Sequence, residues 1–255
     1  MELNTITLVL IGFVTGIINT LAGAGTAITV AALIFTGIPA GIANATIRVA
    51  LFFQNIVGTI SYKQQKVYTW KEGFRFAIPA TLGCMIGSLF AVNIDDNLFK
   101  RIIGVVLILL FFSMLFKSKT WTEDKVKKLT RKNKIIEFII FFAIGIYGGF
   151  VQVGVGFMII AGCVLNGGLN LVKANALKLF IVLCYTCISL IVFIYTDMIL
   201  WRIGLTLAVG NMLGALIASR FTVAWGPKVM RYIVLVVLFS VSMEFLGVIN
   251  LLLNL

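Results

Sequence analysis

Apolar residues run through this chain in blocks of about 15 to 25, the length that carries a helix across hydrocarbon. Short clusters of Gly, Pro, Asn and charge punctuate them. The pattern predicts helical segments at 3–21, 26–37, 41–62, 73–92, 98–116, 135–153, 157–167, 171–195, 202–221 and 229–250, eight long and two short. No block alternates apolar with polar positions, which argues against a β-barrel. One interruption stands out. "NTLAGAGTAI", Asn19 to Ile28, breaks the first apolar run with two glycines and three polar residues.

That interruption has an echo. "GFVTGIINTLAGAG" (12–25) matches "GIYGGFVQVGVG" (145–156) with two residues deleted at the Gly turn, and Ala-Asn-Ala recurs at 43–45 and 174–176. Gly83-x-x-x-Gly87 matches Gly210-x-x-x-Gly214, and Arg101 matches Arg231, each before an equivalent apolar run. Four features in the same order predict an internal repeat: residues 1–116 and 135–255, joined by a basic linker at 117–134. If the short segments cross the membrane, each half has five crossings and the second is inverted; if they re-enter, the halves are parallel with four each. With five crossings and the N-terminus outside, sixteen Lys and Arg fall in cytoplasmic connections and only Lys100, Arg101 and Arg202 outside. Cytoplasmic connections are enriched in cations. The expectation is therefore an all-α polytopic membrane protein built as a 5+5 inverted repeat, with 117–134 cytoplasmic.

Composition agrees: 61% of the 255 residues are hydrophobic and 12% charged, with a mean hydropathy of +1.10. The +12 net charge sits mostly in the connections, so it reports topology and not nucleic acid. Ala22-Gly23-Ala24 has the form of a signal cleavage site, but residues 1–5 lack the cationic start of a signal peptide. The four cysteines, at 84, 163, 184 and 187, lie inside apolar segments and read as packing residues. With no His and no cofactor fingerprint, neither a metal nor a cofactor is expected, and no nucleophile–base pair suggests an enzyme.

Each half embeds an Asn and a cation in an apolar segment: Asn44 with Arg48, and Asn175 with Lys178. Each cation lies about 10 Å into its helix, where insertion costs roughly 2.5–3.5 kcal/mol. Such a residue either faces a functional cavity or snorkels to headgroups. Among the acids only Glu244 is deep in an apolar run; it would pair with Arg48 or Lys178, or carry a proton during coupling. The buried field is net positive and suits a small anion. Gly23, Gly25, Gly154 and Gly156 flank the short segments and would expose backbone N–H groups to an oxyanion. Gly12, Gly16, Gly145 and Gly149 read instead as helix-packing glycines. Asn19 and Gln152 occupy equivalent places beside the two breaks. Gln54 and Asn55 are further uncharged polar residues at depth, which would bond a ligand or join helices. Cys184 and Cys187 share a helix face and would either meet a sulfur substrate or merely pack.

The opening stretch "GFVTGIINTLAGAGTAITVAALIFTGIPAGIANATIRVALFFQNIVGTISY" (12–62), with the echo at 145–195, the two Gly-x-x-x-Gly patterns and "LFKRIIGVVLIL", resembles the TauE/SafE-type family of sulfite exporters. The resemblance covers nearly the whole chain. It implies a permease of a prokaryotic cytoplasmic membrane that moves sulfite, sulfonates or related sulfur-containing anions, driven by the proton gradient.

Overall fold

The computed structural model describes residues 4–92, 94, 95, 98, 102 and 131–245; side chains in the last helix are described to Trp225 and at Val229 and Tyr232. These residues form eight helices: α1 (Thr5–Ala22), α2 (Gly25–Phe35), α3 (Ala40–Gln64), α4 (Trp70–Val92), α5 (Arg131–Phe150), α6 (Val155–Leu165), α7 (Leu171–Tyr195) and α8 (Trp201–Phe245). No strand occurs among the described residues. Six of the helices are long and apolar enough to cross a bilayer; α2 and α6 are the short ones.

Local chemistry sets the boundaries. Asn4 caps α1 by accepting from Thr7 N at 2.7 Å, and Asn170 caps α7 by accepting from Lys173 N at 2.9 Å. Thr69 and Glu72 form a reciprocal capping box at the start of α4: Thr69 N donates to the Glu72 carboxylate and Glu72 N to Thr69 Oγ1. The expected segment at 135–153 begins earlier, at Arg131, so the last four residues of the anticipated linker are helical. A hydrophobic window misses that turn because Arg131–Lys134 is charged, while Lys and Arg are good helix formers. Residues 117–130 of the linker and most of the fifth segment lie outside the described residues.

The expected segments 202–221 and 229–250 are corrected. The 45-residue α8 runs through Gly226-Pro227 without a turn. Proline fixes φ in the helical range and forgoes one hydrogen bond, so it punctuates a sequence without necessarily ending a helix. At 1.5 Å per residue α8 is about 67 Å long, more than twice the hydrocarbon thickness; its part from Trp201 to Trp225 has the composition of a span.

The exterior is apolar and the interior carries the polar groups. Ile6, Leu10 and Val14 on α1, Ile78, Leu82, Met85 and Leu89 on α4, and Leu205, Val209, Leu213 and Ile217 on α8 are exposed in stripes of helical spacing, the faces lipid covers. Asn19, Asn44, Arg48, Gln54, Asn55, Gln152, Asn175, Lys178 and Asn211 are buried. Of the cysteines, Cys84 and Cys163 are buried as anticipated, whereas Cys187 is exposed; at a lipid boundary its apolar thiol needs no protein cover, so a buried packing role for it does not hold.

Glycine pairs bring the helices together. A Cβ on Gly12 or Gly16 would strike the backbone of α8 at Leu207 or Asn211, and one on Gly210 or Gly214 would strike α1. Gly83 and Gly87 in α4 meet Gly145 and Gly149 in α5 in the same way, so both crossings are parallel and backbone-to-backbone. Helices α3 and α7 run antiparallel: Arg48, early in α3, bonds Ser189 late in α7 at 3.0 Å, and Asn175, early in α7, bonds Tyr62 late in α3 at 3.4 Å.

Candidate functional site

Two hairpins carry the glycine breaks inward. The chain leaves α1 through Gly23, at φ 75°, and α2 folds back so closely that a Cβ on Gly25 would overlap the backbone of Thr15 and Asn19. In the second hairpin Gly154, at φ 77°, opens α6. Both angles lie in the left-handed region that only glycine occupies without strain. The tips meet: a Cβ on Gly23 would lie 2.5 Å from Gly156 C, and one on Gly156 2.6 Å from Gly23 Cα. Thr26 Oγ1 donates across this contact to Gln152 O at 3.4 Å.

Each buried cation binds one of the tips. The Arg48 guanidinium donates from Nη2 to Gly148 O (2.9 Å) and Gly149 O (2.8 Å), and from Nη1 to Gln152 Oε1 (3.3 Å) and Ser189 Oγ (3.0 Å). Its Cζ lies 4.9 Å from the centroid of the Phe193 ring. Asn44 adds two bonds at the same tip: its Nδ2 donates to Phe150 O and its Oδ1 accepts from Gln152 N at 2.9 Å. With Val151 N on Tyr147 O, all of the last four carbonyls of α5, which a helix leaves without intrahelical donors, are satisfied. At the other tip Lys178 Nζ donates to Asn19 O (2.6 Å), Thr20 O (2.9 Å) and Asn175 Oδ1 (2.7 Å). Positive charge at the C-terminal end of a helix is favourable, so each cation neutralises the negative end of one broken helix.

The predicted site residues therefore form two clusters. Arg48, Asn44 and Gln152 gather at the α5–α6 tip, Lys178, Asn175 and Asn19 at the α1–α2 tip, and Gly23 with Gly156 joins them. Gly154 supplies the turn, and Gly25 lets α2 lie against α1. The carbonyl partners of the two cations were invisible in the sequence, because nothing in it pairs a residue of α3 with the end of α5. Ser189, Tyr185, which accepts from Gln152 Nε2 at 2.9 Å, and Asn211, which donates to Gln54 Oε1 at 3.0 Å, were also missed; only their depth in apolar runs marks them. The side chain of Glu244 lies outside the described residues. The acids nearer segment ends pair elsewhere, Glu137 with Arg75 and Glu72 with Lys173.

A small cavity of about 10 Å³ lies beside the first tip, lined by Thr15, Asn19, Gly25, Thr26, Thr29, Ile47, Ala50, Leu51, Gln54 and Asn211. Its volume holds about one water. The N-terminal turn of α2 borders it, while Arg48 and Lys178 lie outside its lining. A wider cavity of about 870 Å³ opens where Asn4, Leu8, Thr36 and Ile38 approach Ile199–Ile203, with Arg202 and Thr206 in its wall.

The profile of the family "Sulfite exporter TauE/SafE" matches residues 8–245. The chain belongs to this family of membrane transporters. Among its relatives is a "Probable membrane transporter protein" of Haemophilus influenzae, 25% identical over 91% of this chain and 90% of that one. "Probable membrane transporter protein ORF9" of a Sinorhizobium species is 26% identical over 92% and 89%. "Probable membrane transporter protein YfcA" of Escherichia coli K12 is 25% identical over 89% and 84%. No solved structure matches the chain. It is a multi-pass protein of the cell membrane and a transporter, not an enzyme.

Proposed function

We propose that this member of the TauE/SafE family is a proton-coupled secondary permease for sulfite, a sulfonate or a related sulfur-containing anion, working by alternating access around the two joined tips. The observation that carries the reading is the meeting of Gly23 and Gly156 between the fully buried Arg48 and Lys178. Irregular backbone at membrane depth is tolerated where it is buried in protein or lines a cavity, and broken helices flanking a midplane site are typical of secondary transporters. In this reading Arg48 and Lys178 set a positive potential, Asn44, Asn175, Asn19 and Gln152 orient the oxyanion, and the N–H groups at Gly25 and Gly156 donate to it. Glu244 supplies the proton-coupling group or an ion pair to one of the cations.

The same reading takes the two halves, 1–116 and 135–255, as an inverted repeat around a cytoplasmic linker at 117–134, with the single helix α8 in place of the last two segments expected of the second half. The crossing geometry supports it. α1 meets α8 as α5 meets α4, so each half lends its first helix to the fourth helix of the other. The equivalent helices α3 and α7 are antiparallel, as inversion requires and as a parallel repeat forbids.

Reconstitution tests both levels. Proteoliposomes with an imposed pH gradient should accumulate labelled sulfite, thiosulfate or taurine above the external concentration, and Arg48→Ala and Lys178→Ala should abolish this while still inserting. Equilibration without accumulation would make the protein a passive anion channel. Preference for a non-sulfur anion would overturn the substrate class.

A further inference from the structure

Between the two cations, helices α3 and α7 share a polar seam that the tip clusters do not use. Arg48, Asn55, Thr59 and Tyr62 follow one another on α3 at intervals of 7, 4 and 3 residues, which keeps them on one face within an arc of about 60°. Both ends of that stripe bond α7: Arg48 to Ser189, and Tyr62 from Asn175. The middle therefore faces α7 as well. On α7 Thr186 lies between Asn175 and Ser189, on the same face as both, and the antiparallel register of the two end bonds sets it level with Leu51, between Arg48 and Asn55. Asn55 and Thr186 are completely buried, and Thr59 is 2% exposed. Both amide atoms of Asn55, the hydroxyls of Thr59 and Thr186, and Arg48 Nε have no protein partner.

A buried polar atom without a partner loses its hydration for nothing in return, so such atoms are rare and mark functional positions. Here five, from two helices, line the α3–α7 contact over about 16 Å. Donors predominate, with the amide N–H₂, two hydroxyls and Nε–H against one obligate acceptor. Arg48 lies at one end of the seam, and Lys178 lies on the same stretch of α7 as Leu179, which touches Gly58 beside Thr59. Neutral donors between two positive charges fit an oxyanion and repel a cation.

We propose that the seam of Asn55, Thr59 and Thr186 is a second oxyanion-binding station, distinct from the glycine tips, that receives the transported anion on its way through the protein. It rests on the anion-permease reading and extends it to a two-station route. A merely structural seam would leave its groups bonded to one another or to the helix backbone, and these are not.

The test measures sulfite affinity of the purified, lipid-reconstituted protein by titration calorimetry, with thiosulfate, sulfate and taurine as parallel probes, beside its thermal unfolding without added anion. Asn55→Leu and Thr186→Val remove polar atoms while keeping shape. Each should weaken sulfite affinity, or remove one of two binding events, by about tenfold, the worth of a hydrogen bond to a charged group. Unfolding without anion should be unchanged or shifted upward, since each variant removes a group that lacks a partner. Sulfite binding by Asn55→Leu and Thr186→Val equal to that of the native chain would overturn the station and leave the permease reading standing. Lower stability of both variants without anion, with binding unchanged, would identify bonded buried water there and also overturn it. Failure of the native chain to bind any of these anions would overturn the permease reading and the station together.

Discussion

Replacing Lys178 by Met removes the ammonium of the α1–α2 tip while keeping most of its volume. Nζ has three acceptors: Asn19 O, Thr20 O and Asn175 Oδ1. Asn19 O keeps its bond from Gly23 N, so the substitution orphans two buried acceptors, at about 1–3 kcal/mol each. Against roughly 2–6 kcal/mol of loss stands the removal of a fully buried charge, whose effective desolvation penalty is itself several kcal/mol. Its partners are neutral dipoles, so no uncompensated charge remains behind. The net change for Lys178→Met should lie within about 3 kcal/mol of zero. Lys178→Ala adds a cavity and should cost about 2–5 kcal/mol more. Transport should not follow that order. If the ammonium sets the potential of the anion site, both variants lose uptake equally, although their melting temperatures differ by several degrees. Uptake by reconstituted protein and thermal unfolding of the same preparations make the comparison. Native uptake by Lys178→Met would refute the role in anion binding and leave Lys178 as a helix cap; uptake graded with stability would refute the separation of charge from volume.

Arg48→Lys keeps the charge but not the fork, so an ammonium with three N–H donors replaces a guanidinium that serves four acceptors, Gly148 O, Gly149 O, Gln152 Oε1 and Ser189 Oγ; a loss of about 1–3 kcal/mol and at least tenfold slower uptake are expected from unfolding and flux measurements. Gly23→Ala forces a left-handed angle, at about 1–2 kcal/mol, and drives a methyl into the Gly156 backbone. Its melting temperature should fall and transport should be lost, whereas Gly37→Ala, also at positive φ but with open space around it, should incur the angle penalty and retain transport. Gly145→Leu would wedge α5 from the Ala80 backbone of α4 and should prevent recovery of folded protein, read by size-exclusion chromatography. Glu72→Gln weakens both the ion pair with Lys173 and the capping box of α4. It should lower stability by no more than about 1 kcal/mol, because both partners are partly exposed.

The sequence made the helices legible because hydrocarbon demands long apolar runs, and it made the breaks legible because Gly23 and Gly154 stand where no lipid-facing helix needs glycine. It also singled out Arg48 and Lys178, since a cation so deep either meets a partner or snorkels to headgroups, and their burial decides for the partner. It could not name those partners. They are main-chain carbonyls of the opposite half, which carry no residue identity, and the residue distances run from 100 for Arg48 and Gly148 to 159 for Lys178 and Asn19. Thr186 and Ser189 escaped for a related reason: a helical hydroxyl usually bonds its own backbone, so hydroxyls in a span carry little signal until a neighbouring helix is known. The division of α8 into two failed because Gly226-Pro227 was read as a turn, while the chain absorbed it within one helix.

The exchange of partners between the halves constrains how the molecule could move. Arg48 and Asn44 satisfy the end of α5 from α3, and Lys178 satisfies the end of α1 from α7. A relative displacement of the halves by more than about 1 Å would stretch those bonds beyond hydrogen-bond range, orphaning carbonyls and exposing the guanidinium and ammonium together. An oxyanion arriving then would offer both cations the acceptors they had lost, so binding energy would be available where the rearrangement is most costly. That coupling predicts that anion affinity and hairpin mobility change together. Hydrogen exchange at residues 19–25 and 151–156 of the reconstituted protein should quicken in Arg48→Lys, the variant that keeps its charge. Sulfite should slow that exchange in the native chain and much less in the variant. Exchange at the tips that ignores both the substitution and the anion would mean that the capped tips are a static scaffold and that access alternates elsewhere.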